Sequence, residues 1–151
     1  MAFILDDTEF LSDQTFYSPM IGLYSAFKEL DELAYKKAFA LSCDIPLVKH
    51  EVIRLLIKQS KGSDCCIPRW NNGFVEPLCA IFPIKEGLTK ARENLKKSAF
   101  KLVNLLDDGW NINYISVEQS IQPLDQELNT FININEPKDL EKLKKFHQKG
   151  S

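Results

Sequence analysis

The chain has 151 residues, 44% hydrophobic and 26% charged, with a formal net charge of -2. That length suits one domain and is too short for two comfortable ones, and the mixed charge excludes the basic stripe of a nucleic-acid binder. No apolar run approaches the ~20 residues needed to cross a bilayer, and Met1 to Asp7 lacks the basic region of a signal peptide, so a cytoplasmic protein is expected.

In chain order, strand and helix signals alternate, which argues for an α/β layer fold. Phe3-Ile4-Leu5 reads as a short strand ending at Asp6-Asp7, and Thr8 to Tyr17 as a loop. Ser18-Pro19 opens a helix, because serine caps free backbone N–H groups and proline suits the first helical position. Met20, Leu23, Tyr24, Phe27 and Leu30 form its buried stripe. Ala38 to Cys43 is nearly continuous in small and apolar residues, as an interior parallel strand should be. A helix follows Asp44-Ile45-Pro46, with Val52, Leu55, Leu56 and Gln59 on one side and Gly62 at its end.

Cys65 to Pro68 and Glu76 to Phe82 read as two strands of a hairpin-like excursion. Asn71-Asn72-Gly73 between them tolerates positive φ. Leu88, Ala91 and Leu95 mark one helix. Ser98, Ala99, Leu102, Val103 and Leu106 mark another, which Gly109 ends. Asn111 to Val117 alternates like a strand near an edge. Phe131 to Asn135 reads as the last strand, and a helix after Pro137 would bury Leu140, Leu143 and Phe146. One domain over 1–147 and a frayed tail over 148–151 are expected.

Cys43, Cys65, Cys66 and Cys79 form no C-x-x-C pair, so buried, reduced, structural thiols are expected rather than zinc ligands. Adjacent Cys65 and Cys66 should point to opposite faces of a strand. His50 and His147 belong to no metal motif. The six glycines are scattered, so no segment can wrap a triphosphate in backbone N–H groups.

Chemistry is sought beyond the carboxyl ends of strands, where open α/β sheets bind ligands. Asp44 follows a buried strand and is placed to hold Mg²⁺ with a phosphate-bearing ligand; the alternative is a helix cap or a turn. Asn133 and Asn135, two apart in a strand, would face one pocket and could recognise a polar heterocycle or ribose; Asn135 could instead cap the last helix. Asp6 or Asp7 could reach a ribose or base. Arg69 could engage phosphate and Trp70 could cover a planar ring, though beside a turn both residues commonly serve the surface and packing.

Four segments in order resemble one family. Ser18-Pro19-Met20-Ile21-Gly22 is similar to the G-P-L-x-G segment of molybdenum-cofactor guanylyltransferases, and Leu41-Ser42-Cys43-Asp44-Ile45-Pro46 to their strand ending in C-D-x-P. Ile67-Pro68-Arg69 with Glu76-Pro77-Leu78-Cys79-Ala80, and Phe131-Ile132-Asn133-Ile134-Asn135 with Pro137 and Asp139-Leu140, resemble two further segments. The resemblance runs over residues 3 to 146. It departs at Ser18, which replaces a glycine, and at Glu136, which replaces a threonine and makes a poorer helix cap.

The resemblance implies a Rossmann-like, three-layer nucleotidyltransferase fold with a mostly parallel sheet. It implies transfer of GMP from GTP to molybdopterin, with Mg²⁺ as cofactor. Asp44 would be the catalytic, metal-binding carboxylate, and Asp6 or Asp7 would contact the guanine nucleotide. Asn133 and Asn135 would line the acceptor side, Glu76 and Pro77 would lie near that cleft, and Gly22 would join the ligand-binding set. The family opens with a strand and a loop of the type L-A-G-G-x-S-x-R-M-G-x-D-K that holds the triphosphate, and the 151 residues contain no such loop. A fold lacking its N-terminal unit is therefore expected, inactive by itself and prone to self-association through an open sheet edge. The alternatives are a non-catalytic binding or scaffold relative, and transfer to another phosphorylated acceptor such as a cobinamide or a sugar phosphate.

Overall fold

The computed structural model describes residues 18–135. The expected strand at Phe3-Ile4-Leu5, the residues Asp6 and Asp7, and the helix after Pro137 lie outside them. Four strands form one sheet in the order β1-β3-β2-β4: β1 (Lys37–Leu41), β2 (Cys65–Arg69), β3 (Cys79–Pro83) and β4 (Ile112–Ser116). β3 pairs antiparallel with both β1 and β2, while β2 and β4 pair in parallel. β1, β2 and β4 therefore run the same way, and their carboxyl ends lie along one edge of the sheet.

Helices cover both faces. α1 (Pro19–Glu32) and α3 (Ile84–Lys96) pack on one side and α2 (His50–Gln59) on the other. The alternation of side chains along each strand sorts the core into two halves. Cys65, Ile67, Ala80 and Phe82 join Met20, Tyr24 and Phe27 under α1 and α3. Cys66, Cys79 and Ile81 join Val52 and Leu56 under α2. Adjacent Cys65 and Cys66 thus serve opposite layers. α1 starts as the sequence indicates: the Ser18 hydroxyl accepts from the Met20 N–H at 3.2 Å, and Pro19 is the first helical residue. The Asn71-Asn72-Gly73 turn reverses the chain between β2 and β3, with Gly73 at φ 88° and an antiparallel bridge from Arg69 to Val75.

Several expectations are corrected. The strand over Ala38 to Cys43 begins at Lys37, ends at Leu41 and occupies an edge of the described sheet. Its hydrogen-bonded neighbour is the reversed strand β3, which fills the space where a parallel neighbour was expected. Leu41 is accordingly exposed. The strand expected over Glu76 to Phe82 starts only at Cys79, because a turn from Glu76 to Cys79 precedes it, with the Cys79 N–H donating to the Glu76 carbonyl at 3.0 Å. Gln59 is exposed, one helical turn beyond the α2 residues that reach the core.

No helix begins at Ser98. That residue stands at φ 54°, which ends α3, and only a 3-10 turn forms over Leu102–Leu105. The Asn94 side chain donates to the Asn104 carbonyl at 2.9 Å and pins the loop to α3, so Leu105 is buried without a regular helix. Phe131 to Asn135 is not a strand. A 3-10 turn covers Asn129–Phe131, and the following residues make one backbone bond to the β1 end, from the Ile134 N–H to the Asp44 carbonyl at 2.8 Å.

Phe27 locks α1 to α3 and the sheet. Its ring meets Phe82 edge-on, with centroids 6.0 Å apart, and Gly87 leaves room for it, since a Cβ there would lie 3.0 Å from the ring. Replacing Phe27 with alanine should cost about 3–5 kcal/mol through the cavity it leaves, read as a lowered urea midpoint. Gly87→Ala should change stability far less, because the roughly 1 kcal/mol that alanine gains inside a helix offsets the shift of a few tenths of an ångström asked of the ring.

Candidate functional site

A cleft of about 250 Å³ opens at the carboxyl edge of the sheet, and its lining includes Ser42, Asp44, Phe74, Glu76, Pro77, Phe131 and Asn133. Three segments build it. The first is the turn after β1, which is fixed to the β3 side by a bond from the Ser42 N–H to the Leu78 carbonyl at 2.9 Å. The second is the approach to β3, with Glu76 and Pro77. The third is the chain from Asn129 to Asn133.

Asp44 lies in the turn beyond β1. It does not cap α2: the capping position is Lys49, which makes no side-chain cap bond. The Asp44 Oδ1 atom is buried and has no hydrogen-bond partner among the described residues. A carboxylate oxygen left so is costly unless a ligand meets it. Glu76 is different, because its Oε1 accepts from the Trp70 indole N–H at 2.7 Å. Trp70 in turn packs edge-on against Phe131, with centroids 5.4 Å apart.

Asn133 is exposed and lines the cleft, whereas Asn135 does not line it. Without a strand, the rule that residues two apart share a face does not apply to this pair. Gly22 is half-buried within α1 and is not among the cleft residues. Among the described residues no cluster of three or more His, Cys, Asp or Glu side chains could hold a metal by itself.

The anchor of the third segment escaped the sequence reading. Asp125 is fully buried; its Oδ2 accepts from the Thr130 N–H at 2.7 Å, and its Oδ1 lies 3.6 Å from the Lys49 ammonium. The Thr130 hydroxyl accepts from the Lys49 N–H at 3.2 Å. This network joins the chain leading into α2 to the chain leading to Asn133. Between them Leu128 takes φ 51°, a left-handed conformation that costs an L-residue roughly 1–2 kcal/mol. A lone aspartate in an irregular stretch carries no periodic signal, so sequence could hardly have marked it.

The cysteines divide. Cys43 is exposed, against expectation, because the strand ends before it. Burial pushes the Cys65 and Cys79 thiols up to about 12 and Cys66 to about 11. The nearby Lys37 ammonium opposes the shift at Cys65 and Cys66. The folded chain therefore keeps these protons where the unfolded chain loses them, so their stabilising effect is full below about pH 9 and is lost as pH rises toward about 12. Denaturation midpoints should fall across that interval, and at neutral pH iodoacetamide should label Cys43 alone among the four thiols of the native chain. Removing the Asp125 carboxylate, as in Asp125→Ala, should cost about 1–3 kcal/mol and speed amide exchange at Thr130 and Ile134.

Comparison with known proteins agrees with this architecture. The family model of the MobA-like NTP transferase domain matches residues 3–107. A probable molybdenum cofactor guanylyltransferase of Methanosarcina mazei is 34% identical over 110 residues, which are 72% of this chain and 47% of that protein. One from Pyrococcus horikoshii is 31% identical over 134 residues, 87% of this chain and 65% of the relative. The chain thus spans about half to two-thirds of the length of these curated relatives. Among solved structures, molybdopterin-guanine dinucleotide biosynthesis protein A from Archaeoglobus fulgidus superposes with a TM-score of 0.69 at 26% identity, covering 86% of this chain and 63% of that one. With the shared α/β architecture and a family match over well over half of its residues, the chain belongs to the MobA-like NTP transferase domain family.

Proposed function

We propose that this chain carries the metal-binding and acceptor side of a guanylyl-transfer site, in which GMP passes from GTP to molybdopterin and pyrophosphate leaves. The observation that supports this most directly is the buried, unpartnered Asp44 Oδ1 in a cleft that Asn133 also lines. Mg²⁺ suits that oxygen, because the ion is commonly held by one or two carboxylates plus waters and substrate phosphates. When bound, the metal would neutralise charge on the transferring phosphoryl group.

The chain's own groups do the positioning. Asp44 would fix where the phosphates meet, and the Asn133 amide would donate to the acceptor. Phe74 and Phe131 would form apolar walls. An acceptor phosphate oxygen then forms a bond to the α-phosphorus as the bond to pyrophosphate breaks. Positioning and charge stabilisation provide nearly all the catalysis in such transfers. The cleft of about 250 Å³ lies below the roughly 300–1,000 Å³ of sites that enclose a drug-sized ligand, so it suits one phosphate-bearing end of a substrate.

The 151 residues contain no glycine-rich cradle for a triphosphate. Losing several charge-assisted hydrogen bonds at about 1.5–3 kcal/mol each moves a micromolar affinity to millimolar or weaker. Calorimetric titration with Mg²⁺ and GTP should therefore show weak binding or none; micromolar affinity, or guanylyl transfer by this chain alone, would place the nucleotide site elsewhere. The metal side has its own test. Mn²⁺ substituted for Mg²⁺ should broaden the Asn133 side-chain amide resonances in the wild-type chain and leave them sharp in Asp44→Asn. Equal broadening in both would refute the role given to Asp44. A molybdopterin-like pterin phosphate should still bind, about tenfold more weakly in Asn133→Ala.

A further inference from the structure

A second cavity, of about 400 Å³, lies at the same carboxyl edge between the ends of the parallel strands β2 and β4. Its lining includes Arg69, Trp70, Asn71, Tyr114, Ser116 and Gln119. Arg69 is the last residue of β2 and Ser116 the last of β4, paired in register. The Arg69 guanidinium carbon stands 4.3 Å from the centre of the Tyr114 ring. A cation–ring contact of that kind is compatible with the guanidinium N–H groups still bonding an anion. Among the described residues no carboxylate pairs with it.

Near the turn after Arg69, one oxygen each of Glu76 and Glu118 is engaged, while the Glu118 Oε2 is buried without a hydrogen-bond partner among the described residues. Glu76 accepts from the Trp70 indole, and the Glu118 Oε1 accepts from the Asn71 N–H at 3.0 Å. An arginine set over an aromatic ring, on the ligand-binding edge of the sheet and with no carboxylate partner among the described residues, can receive an oxyanion from outside. Ser116 adds to this. Its oxygen accepts from the Gln119 N–H at 3.1 Å, which leaves its own O–H to donate.

We propose that Arg69, steadied by Tyr114 and assisted by Ser116, anchors an anion subsite for a phosphate monoester, next to the Asp44 cleft and separate from it. Trp70 is the wall between the two. It lines this cavity, while its indole N–H holds Glu76 and its ring packs on Phe131, both of which line the Asp44 cleft. A ligand with two anionic groups could occupy both sides of that wall. The subsite stands on Arg69 whatever the Asp44 cleft binds.

The test uses glycerol 2-phosphate and the intact chain, with EDTA present so that no metal bridges phosphate to Asp44, and sodium chloride at matched ionic strength as the control. Titration should shift the Arg69 Nε–H and Trp70 indole resonances with a millimolar midpoint. Arg69→Gln should weaken binding about tenfold or more, and Arg69→Lys should fall between, keeping the charge and losing the fork. Circular dichroism verifies that each variant is folded, and Ser116→Ala gives a second variant with a smaller expected loss. The proposal fails if phosphate leaves the Arg69 resonance unmoved, or if Arg69→Gln binds as tightly as the wild type. It also fails if the shifts appear at Asn133 in place of Arg69, since the anion would then belong to the Asp44 cleft, or if chloride alone reproduces them.

Discussion

Everything in this molecule is referred to β3. Its five residues are all buried, and it is hydrogen-bonded on both sides, to β1 and to β2. A strand covered on two faces cannot be stable under one layer, so α1 with α3 and α2 are both needed to exclude water from it. Because β3 runs against its neighbours, the chain entering it reaches the carboxyl edge of the other strands. That entry is the Glu76-Pro77-Leu78 segment. The same pairing that buries Phe82 therefore delivers Glu76 and Pro77 to the edge where β1 releases Asp44. The cleft follows from strand direction, and its chemistry from the residues that happen to stand there.

The carboxylates around the cleft show how that edge is organised. Asp125 is buried and saturates a backbone N–H while facing an ammonium. Glu76 is tied to an indole and Glu118 to a turn. Each fixes a piece of backbone that has no regular secondary structure, in the way buried polar groups compensate for missing ladder bonds. Asp44 does none of this with its Oδ1. Its backbone carbonyl, in contrast, accepts from Ile134 and thereby holds Asn133 nearby. The main chain of Asp44 is used for architecture, while its Oδ1 is one of four buried side-chain oxygens without a hydrogen-bond partner among the described residues, with one each from Glu118, Asp125 and Asn129; of these four residues Asp44 alone lines the cleft.

How much of this was legible in the sequence depended on local signals. The Ser18-Pro19 start of α1 and the Asn71-Asn72-Gly73 turn were readable because capping and positive φ are set by a few neighbouring residues. The opposite destinations of Cys65 and Cys66 followed from strand alternation alone. The order of the strands was not readable. Ala38 to Cys43 has the composition of an interior strand, but its neighbours are chosen by the whole fold, and β3 enters between it and β2. Phe131 to Asn135 alternates like a strand, yet Asp125 and Thr130 dictate a turn just before it, and a buried hydrogen bond outweighs a short alternating pattern. Asp44 and Asn133 were picked out by position and resemblance; Asp125 and the stacking of Arg69 on Tyr114 are products of tertiary contact.

A single carboxylate also constrains how a metal could enter such a site. Mg²⁺ gives up its waters reluctantly and prefers six oxygens in octahedral geometry, while among the described residues no group of three acidic or sulfur and nitrogen ligands surrounds Asp44. Asp44 alone would therefore hold the ion weakly, with most of its shell still water. Phosphate oxygens of a nucleotide would complete the shell, so on the proposed reading metal and nucleotide bind with positive coupling, each raising the affinity for the other by the same factor. A chain that grips the triphosphate poorly should then also hold the metal poorly. On the same proposal the acceptor side would be less affected, since the Asn133 amide and the apolar walls of Phe74 and Phe131 would act without the ion. Coupling of this kind would separate the two halves of the proposed site by chemistry: one half would depend on charge that arrives with the ligand, and the other on contacts already present in the fold.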